Sequence, residues 1–107
     1  MAYRRATVTV NRLVAGVIEE YEGGYRFTYD PLYLQTPNAQ PVSLTLHLAQ
    51  HTYESPILFS FFDGLIPEGW LLEIALNVWK LDRRDRFGVL ISACKDCVGA
   101  VSVEVLP

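Results

Sequence analysis

Cys94-Lys95-Asp96-Cys97 is the first spacing in this chain that could carry chemistry. A C-x-x-C pair serves as a redox dithiol or as half of a structural zinc site. Zinc needs four ligands, and the only imidazoles, His47 and His51, sit in a distant polar stretch. A redox pair opens a helix after a strand, whereas this one falls between a predicted helix and a predicted strand. Buried or turn-forming thiols are the better reading, and the same scarcity weakens a cysteine–histidine nucleophile. Asp63 and Glu68 could form an acid/base pair, but Asp63 precedes a helix-ending glycine. Glu68 falls in a first helical turn, where a carboxylate favours the macrodipole. Gly23-Gly24 is a lone turn rather than a phosphate-cradling loop, and no H-R-D catalytic triplet occurs. The expectation is a non-enzyme with no catalytic residue, cofactor or metal site.

The residues that could bind a protein are more informative. Between Pro67 and about Lys80 the spacing predicts a helix. Leu71, Ile74, Ala75 and Val78 make one apolar stripe, and Leu72, Leu76 and Trp79 a second beside it. Only Glu73, Asn77 and Lys80 form a polar line, so the apolar arc is wider than a small core needs. Trp70 neighbours that polar line. It reads either as one more core aromatic or as a partly exposed anchor, the residue type most enriched at interface hot spots. With Phe61, Phe62, Asp63, Glu68 and Glu73 it forms the candidate partner-binding set, an apolar patch edged by carboxylates. Arg83, Arg84 and Arg86 oppose the dipole of the next helix. They read as a solvated turn or as a surface for an acidic partner.

The elements that must hold these residues follow from the pattern. Residues 6–10 alternate and are β-branched, Asn11-Arg12 turns the chain, and Leu13–Ile18 returns as a second strand. Glu22-Gly23-Gly24 turns again into Tyr25–Tyr29, which Asp30-Pro31 ends. After a loop, Val42–Leu46 resumes the alternation, and residues 47–54 read as a polar loop. Ser55-Pro56 predicts the cap of a short helix over Ile57–Asp63, stopped at Gly64. Asp82 and Asp85 suggest a capping box for a third helix to about Ala93. Val98–Val105 closes as a strand. The expected fold is α+β: a mostly antiparallel sheet, an N-terminal meander plus a closing C-terminal strand, packed with about three helices as one domain over residues 1–107.

Composition bounds the function. A chain of 107 residues buries about two-thirds of its surface on folding, enough for one core without staples. Nine basic against twelve acidic side chains leave a net charge of −3, which disfavours direct nucleic-acid binding. No secretory signal follows Arg4-Arg5, and no apolar run reaches the ~18 residues of a membrane span. A cytoplasmic protein with reduced thiols is expected.

Three stretches carry a resemblance. They are Tyr29-Asp30-Pro31-Leu32-Tyr33-Leu34 with Pro41-Val42-Ser43-Leu44-Thr45-Leu46; Phe61-Phe62-Asp63-Gly64-Leu65-Ile66-Pro67-Glu68-Gly69-Trp70; and Asp96-Cys97-Val98-Gly99-Ala100-Val101-Ser102-Val103. In order and spacing they resemble the N-terminal subdomain of HipA-type serine/threonine kinase toxins. In those proteins the chain continues into a kinase body, whereas this sequence ends at Pro107, so no kinase activity is expected. The resemblance extends to the small separate antitoxin of tripartite HipBST toxin–antitoxin systems. It implies binding to a HipA-like kinase toxin (HipT), with a helix-turn-helix protein (HipB) handling DNA in a ternary complex. Inhibition near the kinase active site is one expectation. A structural completion subunit that folds or activates the kinase is the alternative, and a domain that binds some other protein is a third.

Overall fold

The computed structural model describes residues 3–66, 69–80, 82, 84–93 and 101–105, with backbone alone at 69–71, 75, 79, 93 and 105. Strands β1 (Arg5–Val10), β2 (Leu13–Tyr21), β3 (Gly24–Tyr29), β4 (Thr52–Ser55) and β5 (Val101–Val105) form one antiparallel sheet in the order β4-β3-β2-β1-β5. The described helices are α1 (Pro31–Leu34), α2 (Ser60–Asp63), α3 (Gly69–Trp79) and α4 (Arg86–Ala93). The meander and the closing strand are as expected. Residues 98–100 of that predicted strand lie outside the described residues, as do Cys94 and Cys97.

Side-chain alternation decides which face of the sheet is covered. Ala6, Val8 and Val10 on β1, Ile18 on β2, Phe27 and Tyr29 on β3 and Val103 on β5 are all buried. The helices cover that face with Phe62, Leu76, Phe87, Val89 and Leu90. Asn11 (φ 50°) and Arg12 (φ 70°) both take the left-handed conformation of a two-residue hairpin turn. Val8 pairs with Gly16 and Thr9 with Val14, so Ala15 is the extra residue of a β-bulge. Gly16 is dictated by close approach, because a Cβ there would run into the Thr28 carbonyl oxygen.

Four expectations need correction. Val42–Leu46 is not a strand but a turn closed by a bridge between Ser43 and Leu46. The buried Tyr29 hydroxyl organises it, donating to the Leu46 carbonyl and accepting from the Val42 N–H at 2.9 Å. Residues 47–54 are not all loop, since β4 pairs with β3 at the sheet edge. Polar residues suit an edge strand, and Glu54 lies 3.7 Å from Arg26 across the pair. Ser55 ends β4 rather than capping a helix. Its Oγ accepts the Ile57 N–H at 3.3 Å, and α2 begins at Ser60 with Phe59 at the cap position and no side-chain cap bond. The chain bends through Pro56 and Ile57 instead and buries Leu58. The cap of α4 is Asp85, whose Oδ1 accepts the Gly88 N–H at 3.2 Å, while Asp82 accepts from Arg84 N–H in the preceding turn at 2.9 Å. The unforeseen α1 starts at the proline that ends β3, with Asp30 accepting from Leu32 N–H at 2.8 Å.

Candidate partner-binding site

Of the predicted set, Phe62 belongs to the core. It is fully buried, with ring centroids 5.7 Å from Phe27 and 5.3 Å from Phe61. A helix that short buries one ring inward, so Phe62 has no face left for a partner. Phe61 is half-buried and borders a shallow groove with Pro41, Val42 and Leu44. Asp63 accepts a hydrogen bond from Arg86 Nε at 2.7 Å, which ties α2 to α4. Glu73 is exposed on α3. Glu68 and the Trp70 side chain lie outside the described residues.

The wide apolar arc of α3 divides. Leu76 is buried and Leu72 half-buried against the core, whereas Ile74 (46 % exposed) and Val78 (64 % exposed) point away from it. Glu73 and Asn77 stand exposed beside them, along one edge of the stripe. The first predicted stripe is therefore, at its described positions 74 and 78, a surface stripe, and the second is the one that packs. A face of this kind offers aliphatic area edged by a carboxylate and an amide. It can bury against a protein and offers no group for bond making.

A second cluster lies where the β1–β2 pair meets the start of α4, and sequence reasoning missed its key residue. Arg4 holds Glu20 through Nε (2.7 Å) and an η nitrogen (3.1 Å), and holds Asp85 through both η nitrogens (2.7 and 2.8 Å). Its guanidinium also sits 5.3 Å from the Phe87 ring centre. Hydrogen bonds from Arg4 hold both carboxyls below the ordinary carboxylate range. These partners are 16 and 81 residues away, so no local spacing could have shown them. Among the described residues no cluster of three or more His, Cys, Asp or Glu could hold a metal ion, and no helix is long and apolar enough to cross a membrane.

Comparison with known proteins decides the family. The family described as the HipA N-terminal domain matches residues 6–104, from the second residue of β1 to the penultimate residue of β5. The chain belongs to the HipA N-terminal domain family. A solved structure titled "N-terminal domain of HipA toxin" superposes with a TM-score of 0.77 at 25 % identity, covering 100 % of this chain and 96 % of that one. An uncharacterized protein of Haemophilus influenzae is 32 % identical over 89 residues, which covers 83 % of this chain and 80 % of that protein. The five-stranded antiparallel sheet with its helical layer is thus the HipA N-terminal-domain fold. The similarity is to a domain outside the kinase active site.

Proposed function

We propose that this HipA N-terminal-domain chain acts as a HipS-like antitoxin. It docks non-covalently on a separate HipA-like kinase toxin (HipT) near the active-site cleft, with HipB joining a ternary complex. The observation that carries the reading is the outward stripe of α3, where Ile74 and Val78 expose aliphatic surface beside Glu73 and Asn77. At roughly 100° per residue, position 70 shares the helical arc of Ile74 and Asn77. That register supports Trp70 as the anchor of the face, and Phe61, Asp63 and Glu68 complete the proposed contact set. The Haemophilus influenzae relative, of which the match covers 80 %, supports a role for this domain as a chain of its own.

Affinity capture of the chain from its native lysate, followed by kinase turnover with and without it, tests the proposal. Recovery of a HipA-like kinase at near-stoichiometric amount and lower turnover on addition are expected. A rise in turnover would favour the completion subunit, and absence of any kinase from cells that express one would sink both. Trp70→Ala should weaken kinase binding about tenfold or more. A loss within about threefold would remove the 61–70 segment from the interface.

A further inference from the structure

Helix α2 is four residues long and has no side-chain cap bond at Phe59, so it cannot hold its own direction. Phe62 and, beyond Gly64, Ile66 are buried, and these apolar contacts seat the segment on the core. Burial is non-directional, so it fixes the depth of the segment better than its angle. The directional contact is the hydrogen bond that Arg86 Nε donates to Asp63 Oδ1 at 2.7 Å. Arg86 is the first residue of α4. Its neighbour Asp85 is held by both η nitrogens of Arg4, at 2.7 and 2.8 Å, and Arg4 in turn grips Glu20 on β2. Five side chains of alternating charge therefore lead from the sheet to the last residue of α2, in the order Glu20, Arg4, Asp85, Arg86 and Asp63.

Gly88 is an independent sign that this junction is built. A glycine inside a helix weakens it relative to alanine. Here a Cβ would collide with Asp85 Oδ2 and crowd an Arg4 η nitrogen at 2.8 Å. Both atoms are side-chain ends, so an alanine would displace the ion pair rather than the backbone. Helix α4 gives up propensity at that position and leaves room for the contact.

We infer that the start of α4 is a clamp that sets the angle at which the 61–70 segment meets the kinase, with Asp63 as a positioning residue. The inference rests on the kinase-binding reading above. It narrows the part of Asp63 there, from touching the kinase to holding the segment that does. A segment fixed before docking loses less conformational freedom on binding, which is how a contact outside the interface adds to affinity.

Hydrogen exchange in the free chain and titration against the captured kinase test the clamp together. The amides of Asp63, Gly64, Leu65 and Ile66 bond to the carbonyls of Phe59, Ser60, Phe62 and Asp63, so they report α2 and its exit directly. Asp63→Arg sets two cations against each other. Those amides should then exchange several-fold faster, with the amides of β1 to β3 unchanged, and kinase binding should fall about fivefold. Adding Arg86→Asp rebuilds the pair with its charges exchanged, and a carboxylate suits the first turn of a helix. The double variant should return to within about twofold of wild type in both measurements. Gly88→Ala changes no residue of the docking segment, yet it should also speed exchange at 63–66 and weaken binding by a few-fold. If the double variant binds as weakly as Asp63→Arg alone, Asp63 meets the kinase itself and the clamp is overturned. Exchange at 63–66 that is no faster in Gly88→Ala than in wild type overturns it too. A wild type that binds no kinase overturns the kinase-binding reading, and the inference with it.

Discussion

Arg4 shows how much of this molecule rests on single residues that no motif announces. One guanidinium closes β1, β2 and the cap of α4 into a unit through four side-chain hydrogen bonds. Because Arg4 lowers the carboxyls of Glu20 and Asp85, their contribution to stability is fully present above the unfolded carboxylate values near pH 4. It is lost as pH falls through the lowered folded values. The three side chains are about a fifth to two-fifths exposed, so solvent screening keeps the contribution modest. Arg4→Met should cost about 1–2 kcal/mol at pH 7. The difference from wild type should shrink as pH falls from the ordinary carboxylate range near 4 through the lowered folded values. Urea unfolding of both proteins across pH 2–7 measures it, and a gap that stays constant with pH would mean that Arg4 acts by packing on Phe87 instead. Gly16 makes a second point at this scale. Its sequence position in a valine-rich strand looks like a weakness, yet the Thr28 carbonyl leaves no room for a Cβ. Gly16→Ala should therefore destabilise by about 2 kcal/mol or more, since the bulged backbone itself must shift.

The element that carries the proposed function, α3, was legible as a helix but not as a two-sided one. Periodicity shows two adjacent apolar stripes and cannot say which one packs. The structure assigns Leu76 inward and Ile74 and Val78 outward. Truncating Leu76 to Ala should cost about 2–4 kcal/mol of stability. Ile74→Ser and Val78→Ser should stay within about 0.5 kcal/mol while weakening kinase binding several-fold. Thermal unfolding beside a binding titration separates the two effects, and loss of stability without loss of binding at Ile74 and Val78 would reverse the assignment. The strand grammar of β1 to β3 was equally plain, because alternation there agrees with turn residues at both ends. It failed at Val42–Leu46 because a buried hydroxyl, Tyr29, captured that backbone before a ladder could. It missed β4 because an edge strand with one neighbour needs no apolar alternation. Within the candidate partner set, only the local helix was open to such a reading. The 61–63 segment was correctly seen as a helix stopped at Gly64, but which of two adjacent phenylalanines faces inward depends on Phe27, from a strand more than thirty residues earlier.

The order β4-β3-β2-β1-β5 places the last strand against the first, so the sheet cannot close until nearly all the chain is made. A side-chain hydrogen bond between Thr9 and Ser102 spans 93 residues of sequence. Pairings this distant are slow to form, because loop closure must precede any gain from contact. The family match from residue 6 to residue 104 covers that closure from end to end, which makes β5 integral to the domain rather than an appendage. Val103 is fully buried at its centre, opposite Val8. Val103→Ala should cost about 2–3 kcal/mol from lost burial and the cavity left behind. The consequence reaches the helical layer, because Val103 shares one core with Phe62, Leu76 and Phe87. Trp70 and Trp79, the chain's two tryptophans, both belong to α3, so their fluorescence reports the helix while far-ultraviolet circular dichroism reports the whole backbone. In a cooperative two-state domain the two transitions coincide for wild type and shift together for Val103→Ala. Kinase binding should then be lost at that same midpoint, since the α3 face exists only while the sheet beneath it is closed. A tryptophan transition that separates from the backbone transition would mean that α3 unfolds on its own, and that the docking face is ordered by its partner rather than presented by the sheet.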